Sequence, residues 1–324
     1  MDEKELDEQP LEPFVPIGRF IGGPIRTGYV PYKLFVIMQL MNLVFQPPAE
    51  PYVNLDMFAG QCAISRAFQA RGYRTCSLDI AIDERDDICE PLGFIRHLYA
   101  AMNIAPGGLA FIGVVCSSWV ALNRGTSGRS RDNPCGREQF PSVQKANLML
   151  SRVVLLLTVI MHHRGHWVIE NPISSLIDYY PRLEEFLRYR AHFKVTTWLG
   201  MFGATTPKAV KLFSDDGFVQ HLVRKLDRSK FAPSNTTIRY RDGAGKMRYK
   251  GSSTLKATQT YPRNFGRHVA LAWDTYAVRN PEYLQLIDWD PDHWADAKLD
   301  SVEEWLTQYL RHRSIEIWEP HCWR

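Results

Sequence analysis

Apolar and polar positions change period along the chain. From Tyr52 onward, short apolar runs alternate with stretches whose apolar residues recur every three or four positions. "YVNLDMF" predicts a strand, "CAISRAFQARG" an amphipathic helix ending at Gly72, and "YRTCSLDI" a second strand. A helix over 92–102 follows, and then the apolar run "GGLAFIGVVC", read as a strand ending at Cys116. The segment 148–163 predicts a buried helix, because its most apolar part is too short to cross a bilayer and contains Arg152. "HWVIENP" predicts another short strand, broken by Pro172. "SLIDYYPRLEEFLRYR" reads as helix, and "KVTTWLGMFG" with "AVKLFSD" as two closing strands. Such alternation indicates an α/β fold, with a parallel sheet covered on both faces. No fixed-period repeat is present, which excludes a solenoid.

This pattern divides the chain into an N-terminal arm and helix (1–50, the helix over 32–45), a main domain (51–215), a basic insertion (216–257), a closing helix (258–280) and an acidic tail (281–324). Charge sharpens the division. Residues 1–13 carry six acids against Lys4, and 221–256 carry ten lysines and arginines against Asp227 and Asp242. From Glu282 to Glu319 the sign reverses, with ten acids against Lys298, Arg311 and Arg313. One basic face with acidic, solvated ends is expected, and the reversal suggests that the tail docks on the basic segment. Six cysteines (62, 76, 89, 116, 135, 322) form no CxxC pair, so neither a disulfide framework nor a zinc site is expected, and a reducing, intracellular compartment is. The acidic, proline-rich start is unlike a targeting peptide, and no membrane is expected. Adjacent histidines on a helix end point apart, so His162, His163 and His166 suggest a capping or surface role rather than a metal site, and no metal is expected.

In a parallel α/β sheet, ligands bind beyond the carboxyl ends of the strands. Four such ends here carry polar or reactive groups: Asp56 with Phe58, Ala59 and Gly60; Asp79; Cys116; and Glu170 with Asn171. A glycine turn feeding a helix admits a ligand to the backbone, and a carboxylate ending the next strand suits the paired hydroxyls of a ribose. A nucleoside-bearing ligand fits both. NAD stays open, although GxGxxG is absent, and so does an ordinary tight turn with a surface aspartate.

Taken in order, "LDMFAG", "LDI", "IGVVCSS" and "WVIENP" resemble the cytosine-5 DNA methyltransferase family over residues 53–175. A fainter echo lies in "TYPRNFGRHVALAW" (260–273), similar to the family's closing helix. The resemblance implies a Rossmann-like class I methyltransferase sheet with helices on both faces and a small basic insertion. It implies S-adenosylmethionine as cofactor, held by Asp56, Phe58, Ala59, Gly60, Asp79 and Asp87. Cys116 would be the nucleophile at carbon 6 of the base, Glu170 the acid near ring nitrogen 3, and Asn171 would orient the loop or bond the base. Departures are visible too. Val115 precedes Cys116 where the family has proline, and Cys62 and Ala63 replace two glycines of the cofactor turn.

The implied substrate is nucleic acid, DNA ahead of RNA, with the target base flipped out or single-stranded. The loop 123–137 is expected to close over a polynucleotide backbone through Arg124, Arg129 and Arg131. Lys211 stands in a family element that carries arginines. Arg239, Arg241 and Arg248, interleaved with Tyr240 and Tyr249, suit phosphate contact with stacking, or equally a solvated hairpin turned at Asp242-Gly243. Two other readings remain: a catalytically inactive nucleic-acid-binding or interaction module in which Cys116 is structural, and methylation of some other group.

Overall fold

The computed structural model describes residues 31–190, 192–232, 237–252, 258–279 and 294–312, the pair 322–323, and the single positions 255 and 281. The expected arm over 1–30 lies outside the described residues.

The described residues begin with α1 (Tyr32–Val44), followed by β1 (Tyr52–Met57), α2 (Ala63–Gln69), β2 (Thr75–Leu78), α3 (Pro91–Met102) and β3 (Ile104–Ile112). A one-turn helix α4 (Arg124–Ser127) precedes α5 (Pro141–His162), β4 (His166–Pro172), α6 (Pro181–Tyr189), β5 (Phe193–Trp198) and β6 (Ala209–Ser214). A hairpin of β7 (Thr237–Arg241) and β8 (Met247–Gly251) leads to α7 (Arg263–Tyr276), α8 (Leu299–His312) and the short β9 (Cys322–Trp323). The fold is α/β, with a mainly parallel central sheet flanked by helices, compatible with a Rossmann-like arrangement. Strand order is β5-β6-β4-β3-β1-β2-β9. β1, β2, β3 and β4 are mutually parallel, and β6 runs antiparallel between β4 and β5. The sheet is mainly parallel, as expected, with β6 and the edge strand β9 reversed. The link 199–208 between β5 and β6 is too short for a crossover helix, so the chain turns back beside its neighbour.

Both faces of the sheet are buried, so alternate strand residues enter different cores. Leu55, Met57, Ala110, Ile112, Trp167 and Ile169 pack with α1, α3, α5 and α8. Leu109, Phe111 and Val168 pack with α2 and α7 on the opposite face. The period of two places Asp56, Gly113 and Glu170 on this second face, at the carboxyl ends of three adjacent strands.

α5 is 22 residues, longer than the apolar run suggested, because Pro141 starts it well before Leu148. Its length and composition match a membrane span, yet 78% of the most apolar window is buried inside the protein. Arg152, in its middle, is fully buried and donates to the carbonyls of Ile88 at 2.8 Å and Ala297 at 3.0 Å. It ties the loop before α3 and the turn before α8 to the core.

The described part of the acidic C-terminal segment packs into the fold, which corrects the expectation of a solvated end. Trp294, Ala297, Leu299, Val302 and Leu306 are buried in the main core, and Lys33 on α1 pairs with Asp300. β9 extends the sheet beside β2. The acids lie on the outer face of an amphipathic helix whose apolar face decides where it docks. It packs on α1 and α3, not on the basic hairpin.

Candidate active site

The turn after β1 is strained. Phe58 and Cys62 both adopt positive φ (60° and 57°), with Gly60 at 52° between them. Such backbone costs about 1–3 kcal/mol at each non-glycine residue and persists where its surroundings over-determine it. Here Phe58 and Ala59 donate to the Leu78 carbonyl at 2.8 and 3.2 Å, and Gly60 donates to Asp79 Oδ2 at 2.9 Å. Asp79 Oδ1 accepts from the Ala81 amide at 2.7 Å. The two strand tips singled out in the sequence are therefore in direct contact. Asp56 is buried and accepts from the Ser65 amide at 3.0 Å, in the first turn of α2. Burial, with nearby Asp79 adding to it, pushes the Asp56 carboxyl up to about 7 despite the bonds from Ser65.

Asp87 is already engaged. Its Oδ2 receives Lys145 Nζ at 2.6 Å and its Oδ1 receives the Cys89 amide at 3.1 Å. Burial opposes ionisation there, but these bonds and the lysine charge hold the carboxyl below its ordinary value. Its neighbour Asp86 is the buried one, taking Arg96 Nε at 2.7 Å and the Asp79 amide at 3.2 Å. This ion pair supports the tip of β2 from beneath.

Cys116 lies four residues past the end of β3, not at the strand end as the sequence suggested. Its carbonyl accepts from Trp119 and Val120, which folds 116–120 into a turn. Asn171 is fully buried and donates to the Val114 carbonyl at 2.8 Å, which ties the start of the loop that carries the cysteine to β4. Burial raises the Cys116 thiol, with the Glu170 charge adding and Lys208 opposing. The thiol is protonated at neutral pH, within the field of a carboxylate and an ammonium group.

Glu170 is buried in the middle of this group. Its Oε2 accepts from the Tyr261 hydroxyl at 2.6 Å, while Lys208 Nζ is 3.8 Å from Oε1. Oε1 itself is buried and has no hydrogen-bond partner. Such an acceptor is costly to leave unsatisfied, and this carboxylate is within electrostatic reach of the Cys116 thiol. Tyr261 stands over the end of β3, edge-on to Phe111, in space that Gly113 leaves free: a Cβ there would lie 2.6 Å from the hydroxyl. Its pKa is raised well above the ordinary value, first by burial and then by Glu170, so it remains a donor. Sequence reasoning does not single out Tyr261. Its only signal was its position just before the closing helix.

The expected polynucleotide contacts divide. Arg129 is a correction: it is buried, stacks 3.5 Å from the centre of the Trp119 ring, and spends its guanidinium inside the loop. It donates to Ser118, Pro134, Val143 and Asn147. The loop 123–137 is thus folded around an internal cation. Lys211 is likewise buried, paired with Asp178 and donating to the Ser175 carbonyl at 2.7 Å. Arg124 and Arg131 do line an open cleft of about 390 Å³, together with Lys194, Lys211, Tyr179 and Ser175. Arg239 and Arg241 are exposed on β7, and Arg241 donates to Gly245 across the predicted turn. Arg248 is on β8, its side chain outside the described part of the structure. Lys250 stacks over Tyr240 within the hairpin.

Among the described residues no histidine, cysteine or carboxylate group gathers in a metal-binding cluster. His166 instead bridges Asp215 Oδ2 at 2.8 Å and the Val278 carbonyl at 2.6 Å, at the opposite end of β4 from Glu170. No protein-family model and no curated protein matches the chain.

Proposed function

We propose that the chain is an S-adenosylmethionine-dependent methyltransferase of the cytosine-5 type, acting on a nucleic-acid base. The observation that carries this reading is Glu170. One of its oxygens is anchored by Tyr261, and the other is buried, without a hydrogen-bond partner and within electrostatic reach of the Cys116 thiol. An acceptor in that state suits the exocyclic amine of a cytosine, and the same carboxyl carrying a proton suits its ring nitrogen 3. The reversed strand β6 between β4 and β5 supports the class I methyltransferase sheet.

The residues present fit the cofactor. The strained turn 58–62 is tied to Asp79, whose carboxylate is half-exposed at the tip of β2 and has lone pairs left for ribose hydroxyls. Asp56, Phe58, Ala59 and Gly60 shape the same edge. Asp87, already paired with Lys145, would support this edge rather than add a free carboxylate. S-adenosylmethionine supplies an electrophilic methyl group on a sulfonium. As Cys116 adds to carbon 6 of the base, its proton would pass through Glu170 to ring nitrogen 3, so that no negative charge builds on the ring and carbon 5 becomes nucleophilic. Carbon 5 would then take the methyl group, with the thioether as leaving group, while Glu170 takes back the proton from ring nitrogen 3 and Lys208 balances its carboxylate form. Solvent would accept the proton on carbon 5 as the bond from carbon 6 to sulfur breaks, and the departing Cys116 thiolate recovers its proton from Glu170.

Calorimetry with S-adenosylmethionine is the first test, with binding expected and weakened about tenfold (roughly 1.4 kcal/mol) by Asp79→Ala. An oligonucleotide containing 5-fluorocytosine, given with the cofactor, is expected to form a covalent adduct that Cys116→Ser abolishes. Absence of cofactor binding sinks the enzyme. A second reading, an inactive interaction module, is favoured by Tyr261 standing over the end of β3 and by Val115 in place of a proline. Binding of nucleic acid without any cofactor binding selects it.

A further inference from the structure

A second cleft, of about 450 Å³, runs between α2 and α7, and Arg66, Arg71, Tyr261, Arg263 and Arg267 line it. The helices come close here because Gly266 has no side chain: a Cβ would lie 2.0 Å from the Ala63 carbonyl oxygen. Three alanines on the α2 side complete the floor.

The charge balance of this cleft is unfavourable to the protein alone. Among the described residues Arg71 has a carboxylate partner, Asp274, whereas Arg66, Arg263 and Arg267 have none. Asp274 is further shared with Arg279 at 2.8 Å. Arg263 also occupies the first turn of α7, which contains no acid and no side-chain cap. A cation there opposes the helix dipole, and Arg267 one turn later repels it. Each of these choices lowers stability in the free protein, and a bound anion reverses the sign of each.

We propose that the α2–α7 cleft is a phosphate-binding site, occupied by phosphate groups of a polynucleotide backbone. It is separate from the cleft of Arg124 and Arg131, and it stands whether or not the chain transfers methyl groups. Guanidinium groups on two facing helices present paired donors to phosphate oxygens, and the alanines let the chain of phosphates approach closely. Tyr261 forms one wall, so the site lies directly beside Glu170.

The test uses the full chain, without cofactor. Anisotropy of a labelled single-stranded DNA is followed against salt for the wild type, for Arg263→Glu/Arg267→Glu, and for Arg188→Glu on the outer surface of α6. The double variant is expected to bind about tenfold more weakly, with a salt slope shallower by about 1.4 for two lost contacts at roughly 0.7 each. Arg188→Glu is expected to leave the slope unchanged. Because an acid in the first turn of α7 favours the helix dipole, the double variant should melt no lower than wild type, which separates lost binding from lost folding. An unchanged affinity and slope in the double variant overturns the proposal. Inorganic tripolyphosphate is the second arm. If it protects the wild type against thermal unfolding while DNA binding is absent or unaffected by the double variant, the source is a free polyphosphate and the polynucleotide assignment is overturned. If the wild type binds DNA with the expected slope but shows no calorimetric binding of S-adenosylmethionine, the enzyme reading fails and the site still stands.

Discussion

The two oxygens of Glu170 have different roles, and that asymmetry organises the site. Oε2 is fixed by Tyr261 and Oε1 is left for something else. Tyr261→Phe removes the fixing donor while preserving the ring's contact with Phe111, so it should cost about 1–3 kcal/mol in urea unfolding, the penalty of a buried acceptor left bare. An unchanged midpoint and slope would show that Lys208 takes over the bond. Glu170 and Cys116 were legible in the chain because each follows an apolar run that can only be a buried strand. Tyr261 was not. Its partner lies 91 residues away, and nothing local marks a tyrosine before a helix as part of a carboxylate site. Arg129 misled in the opposite direction: an arginine in a glycine- and serine-rich stretch reads as solvated until Trp119 and four acceptor residues close around it.

At the level of elements, the loop from Ser117 to the start of α5 folds around that arginine. Burial draws the Arg129 guanidinium down to about 10, still protonated at neutral pH, without any carboxylate in hydrogen-bonding contact. Arg129→Ala should cost roughly 2–4 kcal/mol, since it orphans several carbonyls and empties the space over Trp119. The same variant should expose 123–137 to limited proteolysis; cleavage at the wild-type rate would contradict an internal structural role. Periodicity located β1, β2, β4 and the first three helices to within a few residues, because a strand buried on both faces and an amphipathic helix differ in period; it placed the start of α5 seven residues late. It overran β3 by four residues, since the apolar run continues through Val114 and Val115 after pairing has stopped. The direction of β6 was beyond any local signal, being set by the length of the connection and by the neighbours available.

Across the whole molecule, buried histidines set the response to acid. Burial draws His97 and His162 down to about 4 and His163 to about 3, so they are neutral in the folded protein. The unfolded chain takes up these three protons near pH 6.5 and the folded chain does not; Asp56, raised to about 7, acts with the opposite sign over the same range but is a single group, so stability should fall as pH drops from about 6.5 toward 4. Melting temperature against pH measures this, and a His163→Leu variant should show a shallower acid limb; an equal limb would exclude that residue. His166 has the opposite sign. Burial opposes its charge, but Asp215 outweighs it and raises the pKa, so its contribution is complete below about 6.5 and fades as pH rises through the raised value. The order of strands and helices, the polar residues gathered after the strands and the basic insertion all follow from period and residue type, which are local properties of the chain. Which arginines face solvent, where the acidic end docks, and that Tyr261 meets Glu170 were decided by packing, because each depends on side chains brought together from positions far apart in sequence.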